Sequence, residues 1–306
     1  MNELRPARFK DFVGNKDLLS RLKISIKAAR SRKEPLKHVL LDGGAGLGKT
    51  SLAECIANEL RLPIFITIGS VLETIPDVIQ FVLQAKGPSV LFIDETHAIS
   101  PVVEEYLYPV LEDFKLEVNT NVSSTHIDIP FVTFIGATTN SGSLSQPFRD
   151  RFPIRGHLDL YSEKDLTILV QQNANLLNVV LEAGTAQFIA GVSKGTPRIA
   201  NSRLYWIRDF AHSKGKDRIT LELVLDAMKK AGIDCLGLDD RDLKVLKTMQ
   251  QKYGNKAVGL TSLANILGIS TTTLNDEIEP FLIQANLLVR TPKGRQLSDK
   301  GLNYAC

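Results

Sequence analysis

The hydrophobic and polar positions of this 306-residue chain change their period along its length. In the first half, short apolar runs alternate with segments in which apolar residues recur every three or four positions, which are the patterns of strands and of amphipathic helices. This alternation predicts a parallel sheet covered by helices, an α/β domain over residues 1–160. The predicted strands are 39–41, 64–68, 90–93 and 132–137, and the predicted helices are 16–29, 52–60, 75–85 and 102–111.

A different pattern interrupts this domain between residues 114 and 129. Two short segments with strand-like alternation, 114–118 and 124–129, flank a polar stretch at 119–124. Two such segments around a polar turn predict a β-hairpin, inserted before the next core strand.

The remaining residues predict two smaller domains. From 161 to 235 the periodicity is helical throughout, with capping residues at Ser162 and Thr220. After a short linker, residues 236–306 read as helices at 242–253, 261–267 and 272–285, followed by strands around 287–289 and 296–297. This order predicts a helix-turn-helix with a wing, an architecture that places a helix or hairpin on DNA.

Composition narrows the class of protein only slightly. The hydrophobic fraction of 43% is that of ordinary globular domains, and the formal net charge of +3 neither requires nor excludes a nucleic-acid partner. We expect no secretory signal and no membrane association, since no apolar run approaches the length of a membrane span. The three cysteines show neither metal-binding spacing nor a disulfide framework, so we expect a cytoplasmic protein.

The strongest chemical signal is the run from Gly43 to Thr50, Gly-Gly-Ala-Gly-Leu-Gly-Lys-Thr, between a predicted strand and a predicted helix. It matches the phosphate-binding loop G-x-x-x-x-G-K-[ST], whose backbone N–H groups surround an anionic phosphate chain. Lys49 would reach the β- and γ-phosphates of ATP, and Thr50 would offer its hydroxyl to Mg²⁺. A glycine-rich turn with a chance lysine is the alternative, and the strand and helix on either side argue against it.

A second signal is the pair Asp94 and Glu95 at the end of a predicted strand. Ligands bind at the carboxyl ends of strands in open α/β sheets, so this pair predicts Asp94 as a Mg²⁺ ligand and Glu95 as the group that polarises the attacking water. Two solvated surface acids are the alternative. His97 completes a D-E-x-H pattern, but we expect it to cap or pack nearby, or to couple the site to a neighbouring loop.

Further candidates for the nucleotide site are polar residues near the end of the α/β domain and after it. Thr139, with Asn140 next, ends a predicted strand and is a candidate for contact with the γ-phosphate; capping of the following turn is equally compatible. Arg149 and Arg151 could neutralise a phosphate on a neighbouring subunit; a surface ion pair between Arg149 and Asp150 is the alternative. Arg198, at a predicted helix start, could reach back to the nucleotide.

These motifs together resemble the AAA+ family and, within it, the bacterial RuvB family of Holliday junction branch-migration ATPases. The similarity covers nearly the whole chain and is most specific in its last two stretches. The matching stretches are 4–6, 11–14, 38–41, 46–50, 107–109, 111–115, 135–139, 149–152, 195–201 and 290–295.

The resemblance implies a hexameric, ATP-driven motor that moves double-stranded DNA at four-way junctions in recombination and repair. It implies that RuvA docks on the hairpin near 115–129 and that RuvC joins the complex. Arg151, rather than Arg149, would reach the neighbouring subunit's ATP, and Arg290 and Arg295 would contact DNA. The residues implied at ATP are Leu4, Arg5, Gly46, Leu47, Gly48, Lys49, Thr50, Ser51, Glu112, Asp113, Phe114, Tyr161 and Arg198.

This chain departs from the family pattern at several positions. Gly44 and Ala45 stand where two prolines are usual, Asp42 stands where tyrosine is common, and Asn140 replaces a usual arginine. The predicted hairpin is also shorter than the one that is usual in the family. Two other functions remain open from sequence: a clamp-loader-like AAA+ switch, which would not need the wing, and an ATP-controlled DNA-binding regulator that reads sequence.

Overall fold

The computed structural model describes residues 2–119 and 124–305. The chain divides into two compact units, Met1–Leu169 with Thr196–Arg198, and Val170–Gly195 with Ile199–Cys306. No helix in the described ranges is long and apolar enough to cross a membrane.

The first unit is built on a parallel sheet of five strands in the order β2-β3-β6-β1-β7, and a separate hairpin is formed by β4 and β5. The predicted strands and the predicted hairpin are confirmed. Ile154–Leu158 at the sheet edge was not predicted. The seven strands are β1 Val39–Gly43, β2 Ile64–Ile68, β3 Ser89–Asp94, β4 Lys115–Asn119, β5 Ser124–Asp128, β6 Val132–Thr138 and β7 Ile154–Leu158.

Helices cover the sheet because both of its faces are apolar. In β6 every residue is buried, and Leu91, Ile93 and Phe134 form a core with helical residues such as Val103 and Leu107. The predicted helices are confirmed within a few residues at each end. They are α1 Lys16–Arg32, α2 Lys49–Leu60, α3 Ile75–Val82 and α4 Pro101–Asp113; the short helix α5 Gln146–Asp150 was not predicted.

In the helical region after the core, two helices begin at the predicted capping residues. The Ser162 hydroxyl accepts the Asp165 N–H at 3.1 Å, and Thr220 accepts the Leu223 N–H at 3.2 Å, as predicted. The expectation of helix throughout is wrong at one place, where β8 and β9 form a two-residue parallel pair. The elements are α6 Glu163–Leu176, β8 Val180–Leu181, α7 Thr185–Gly191, α8 Pro197–Ser213, β9 Arg218–Ile219 and α9 Leu221–Lys230.

The last part is a winged helix with its own apolar core, which includes Leu246, Leu263, Leu282 and Leu297. The third predicted helix is not a regular α-helix: its first half, Thr273–Ile278, is π-helical. The prediction also missed a short final helix. The elements are α10 Asp240–Lys252, α11 Leu260–Leu267, α12 Glu279–Gln284, β10 Leu288–Thr291, β11 Gly294–Leu297 and α13 Asp299–Leu302.

Within the second unit, a buried ion pair joins the helical region to the winged helix. Lys194 donates a short hydrogen bond to Asp242, and its Nζ lies 3.6 Å from Asp239 Oδ2. Both carboxylates also form the capping box that begins α10. Cys235 in the nearby linker is disulfide-bonded, so the expectation of no disulfide is wrong.

Candidate active site

The phosphate-binding loop lies between β1 and α2, and its backbone explains its glycines. Gly46 and Gly48 adopt φ of 77° and 98°, a region that side chains rarely enter. Lys49 begins α2 and is buried, with Nζ donating to the carbonyls of Gly43 at 2.8 Å and Gly44 at 2.9 Å. Burial lowers the pKa of Lys49, and Glu95, Asp94 and Asp42 oppose that shift.

The candidate metal ligands lie side by side. The Thr50 hydroxyl, on the first turn of α2, donates to Asp94 Oδ2 at 3.1 Å, across from the end of β3. A hydroxyl and a carboxylate are the hard oxygen donors that Mg²⁺ uses in nucleotide sites, together with water and substrate phosphates. The two residues therefore fit a Mg²⁺ ion that would be completed by ATP.

The acidic pair, Asp94 and Glu95, also lies in contact with the end of β6. Glu95 adopts a left-handed φ of 47°, and the Thr139 hydroxyl donates to its Oε2 at 3.1 Å. Strand β6 lies between β1 and β3 in the sheet, so Thr139 stands next to both neighbouring motifs. This contact joins distant segments, and the contact of Thr139 with the γ-phosphate stays a prediction.

The N-terminal segment lies along α2. Leu4 is buried, and Arg5 Nη1 lies 2.5 Å from Glu54 Oε1 on that helix. Tyr161 is buried close to the loop, since a Cβ on Gly48 would lie 3.9 Å from its hydroxyl oxygen. Burial raises the pKa of Tyr161 to about 12, so the phenol stays protonated at neutral pH. The structure thus places Arg5 and Tyr161, two of the predicted nucleotide residues, at the loop and its helix.

Arg198 also reaches the loop. Its backbone N–H donates to the Gly46 carbonyl at 3.3 Å, and a Cβ added to Gly46 would lie 2.8 Å from Arg198 Cβ and 2.9 Å from Thr196 Cγ2. The glycine at position 46 is therefore required twice, by its positive φ and by this close approach.

The two arginines after β6 have different partners. Arg149 donates to the Ser141 carbonyl at 3.1 Å and to Gln146 at 2.8 Å. The guanidinium of Arg151 stacks 3.9 Å from the centre of the Tyr108 ring and lies 3.1 Å from Glu112 Oε1. Among the described residues, the buried Arg151 Nε has no hydrogen-bond partner.

The segment that ends α4 positions the hairpin. Asp113 is exposed, while Phe114 adopts φ of 56° and packs edge-on against Phe131 at 5.1 Å. The hydroxyl of Tyr106 donates to the Glu117 carbonyl and so ties the hairpin to α4. The tip at 120–123 lies outside the described residues.

The wing arginines face each other across the β10–β11 hairpin. Both bind the fully buried Glu279: Arg290 donates to Oε2 from Nε at 3.0 Å and Nη2 at 2.8 Å, and Arg295 donates to Oε1 at 2.6 Å. The Asn275 side-chain oxygen accepts from both arginines. The Arg295 side chain is only 16% exposed and that of Arg290 is 49% exposed.

Sequence reasoning did not anticipate several of these partners. Glu279 lies in a predicted helix just after the exposed acids Asp276 and Glu277, and nothing in the sequence distinguished it from them. Asp42, at the end of β1, accepts from Ser141 at 3.1 Å and lies 3.1 Å from His157 Nδ1, and nothing in the local pattern predicted this cluster. Contacts that join distant segments leave no local signature.

The phosphate-binding loop, the acidic pair and Thr139 occupy one edge of a sheet in which β6 separates β1 from β3. This sheet is followed by the helical region at 161–235, which we call the lid, and by a winged helix. The combination defines a P-loop ATPase of the AAA+ class. Three family models match the chain: "Holliday junction DNA helicase RuvB P-loop domain" over 4–158, "RuvB AAA lid domain" over 161–234 and "RuvB C-terminal winged helix domain" over 235–305. The chain belongs to the RuvB family.

Proteins with similar sequences match this chain over almost its full length. The Holliday junction branch migration complex subunit RuvB of Myxococcus xanthus is 42% identical, with 98% of this chain and 89% of the relative covered. That of Flavobacterium johnsoniae is 43% identical, with 98% and 90% covered. The solved structure of the Thermotoga maritima RuvB Holliday junction branch migration motor is 41% identical, with a TM-score of 0.88 and 97% and 96% covered.

Proposed function

We propose that this chain is the ATP-hydrolysing subunit of a hexameric motor that drives branch migration of Holliday junctions. The observation that carries the proposal is the convergence of Lys49, Thr50, Asp94, Glu95 and Thr139 in a chain whose three parts all match the RuvB family. We propose domain limits of 1–160, 161–235 and 236–306, and the cytoplasm as the site of action.

The proposed nucleotide site uses residues from three segments. The loop from Gly46 to Ser51 would hold the phosphates by its N–H groups, at the positive end of α2. Lys49 would pair with the β- and γ-phosphates, exchanging its present carbonyl partners for stronger anionic ones. Leu4, Arg5 and Tyr161 would flank the rest of the nucleotide, and Arg198 would connect its presence to the lid domain through the contact with Gly46.

The proposed chemistry is hydrolysis of the γ-phosphate. Glu95 would orient and polarise the attacking water, and Thr139 would contact the phosphate. Thr50 and Asp94 would hold Mg²⁺, which neutralises phosphate charge when bound. The lysine and the metal act on charge, while Glu95 acts on the geometry of the nucleophile. Glu95→Gln should therefore bind ATP and turn it over far more slowly.

The site would be completed by a neighbouring subunit in a ring. Arg151 is held in a fixed place by Tyr108 and Glu112, which would preorganise its guanidinium for a phosphate on the next subunit. Such arginines contribute on the order of 10³–10⁵ in rate in other systems. Glu112, Asp113 and Phe114 would lie at the same boundary, which agrees with the pairing of Glu112 and Arg151 within one chain.

The trans role can be tested by mixing variants. Arg151→Ala and Lys49→Ala chains should each be inactive alone, the first binding ATP and the second not. Mixed rings should recover some hydrolysis, since an intact loop then meets an intact arginine. Arg149→Ala is the matched control and should lose less turnover than Arg151→Ala. Mixtures that stay inactive would argue against the trans site.

The wing would contact the DNA backbone through Arg290 and Arg295, with the exposed Lys293 in the turn between them. Each lost phosphate contact lowers the slope of log K against log salt by about 0.9. Arg290→Ala and Arg295→Ala should therefore weaken binding to all sequences and reduce this slope. Lys230→Ala, an exposed cation in the helical region, should leave the slope unchanged; equal slopes in all variants would contradict the assignment.

The partners proposed for the complex are RuvA and RuvC, with RuvA docking on the hairpin near 115–129. The decisive experiment is ATP-driven branch migration of a synthetic four-way junction with and without RuvA. We expect migration that requires ATP, Lys49 and Glu95 and that RuvA stimulates. ATP turnover without any migration would instead favour a switch-type ATPase, and sequence-specific binding without migration would favour a DNA-binding regulator.

A further inference from the structure

Glu95 is held in an unusual backbone conformation from several sides. Its φ of 47° is uncommon for a residue with a side chain and persists only where the surroundings fix it. The next residue, Thr96, is buried and its hydroxyl donates to the Ala137 carbonyl at 2.8 Å. A Cβ on Gly69 would overlap the Glu95 carbonyl, so the end of β2 also presses on this turn. The fold therefore fixes the backbone at Glu95, from which the side chain extends.

The carboxylate of Glu95 meets two side chains at the same oxygen. Thr139 Oγ1 donates to Oε2 at 3.1 Å, and His97 Nδ1 lies 3.2 Å from that oxygen. His97 Nδ1 is also 3.0 Å from Thr138 Oγ1, which accepts the Asn140 N–H at 3.0 Å. The single proton that Nδ1 can carry points to the carboxylate, because a bare nitrogen lone pair would face that charge, and Thr138 Oγ1 lies beside the same N–H. His97 thus connects Glu95 to the end of β6.

The hydrogen bonds that Thr139 and His97 make to Glu95 cannot both persist if Thr139 contacts the γ-phosphate during hydrolysis. A threonine hydroxyl has a single O–H, so Thr139 donates either to Glu95 or to the γ-phosphate, not to both. When Thr139 turns to the phosphate, His97 is the remaining side chain at Oε2. Its ring is anchored through Thr138, which is fully buried, so it does not depend on the nucleotide for its position.

We propose that His97 is a positioning residue that orients the Glu95 carboxylate while Thr139 contacts the phosphate. The inference rests on the proposed role of Glu95 in hydrolysis. Loss of the His97 contact would let the carboxylate rotate about its side-chain bonds. A displacement of about 1 Å in such a group can cost on the order of a hundredfold in rate.

The test measures turnover number and ATP affinity separately in the full-length chain, the latter with a fluorescent ATP analogue. His97→Ala should lower kcat about tenfold to a hundredfold and leave the affinity within twofold. His97→Asn should retain kcat within about threefold, because its amide nitrogen occupies the place of Nδ1. In a Glu95→Gln background, His97→Ala should cause no further loss, since the carboxylate it orients is gone.

Each other result overturns the inference. A normal kcat in His97→Ala, a loss of ATP affinity, a failure of His97→Asn to retain turnover, or an equal loss in the Glu95→Gln background would each exclude this positioning role. Failure of the proposed function is distinguishable, because it appears as normal hydrolysis in Glu95→Gln alone. If Glu95→Gln hydrolyses ATP slowly while His97→Ala has a normal kcat, the positioning role of His97 is excluded and the proposed function is retained.

Discussion

The buried ion pair between Lys194 and Asp242 makes a quantitative prediction about the second unit. Lys194→Met keeps the length and apolar contacts of the side chain and removes its charge. Asp242 is then left buried, at 1% exposure, without the cation that the structure gives it. Removing one member of a buried pair costs about 3–5 kcal/mol. With a denaturant dependence of about 2 kcal/mol per M, the urea midpoint of this unit should fall by roughly 2 M.

The assay uses the chain's single tryptophan. Trp206 lies on α8 in the same unit, and its Nε1 donates to the Ala227 carbonyl at 2.8 Å. Its fluorescence should therefore follow the unfolding of this unit. The matched control is the double variant Lys194→Met with Asp242→Asn, which removes both charges and keeps an oxygen acceptor for the Asp239 N–H. It should recover most of the lost stability.

The pH dependence gives a second readout of the same variant. Burial raises the pKa of Asp242, so protonation of this carboxyl favours the folded state. The penalty in Lys194→Met is present while Asp242 is ionised and should shrink as the pH falls towards the ordinary aspartate range, about 3.9. A midpoint shift below about 0.5 M, a penalty independent of pH, or a double variant no more stable than the single one would refute the reasoning.

Three further predictions follow from individual contacts. Burial raises the pKa of Cys55 to about 12, so this thiol should resist alkylation at pH 8 in the native protein and react after unfolding, as mass spectrometry would show; rapid native labelling would contradict its burial. Gly46→Ala should lower affinity for a fluorescent ATP analogue at least tenfold, because its Cβ would press on Arg198, whereas Gly44→Ala should change it little; equal effects would be inconsistent with the contact. Glu279→Gln should raise amide exchange in residues 288–297 at least about tenfold, since charge-assisted hydrogen bonds to both wing arginines weaken; unchanged exchange would show that the carboxylate does not hold the wing.

The sequence by itself determined the features that depend on neighbouring residues. Alternating and helical periods predicted four of the five sheet strands and the helices around them, because burial of one face imposes that spacing. The phosphate-binding loop could be recognised from sequence because its glycines, its lysine and its threonine hydroxyl lie within eight positions and serve one ligand. The family resemblance, which extends over nearly the whole chain, added predicted roles, such as contact of Arg290 and Arg295 with DNA.

The tertiary structure alone decided which distant side chains meet. Strand β7 was missed although residues 154–158 alternate between apolar and polar positions, and its pairing with β1 comes from the sheet. The π-helical turn at Thr273–Ile278 depends on hydrogen bonds that composition does not encode.

His97 and Glu279 show the same limit at the functional sites. His97 completes the D-E-x-H pattern in sequence without a defined partner, and folding places its ring between Glu95 and the end of β6. Glu279 was one of three acids within four residues, and folding brings the arginines of β10 and β11 to it. Local spacing records what a segment must bury, whereas the partners of a polar group are set by which segments the packed core brings together.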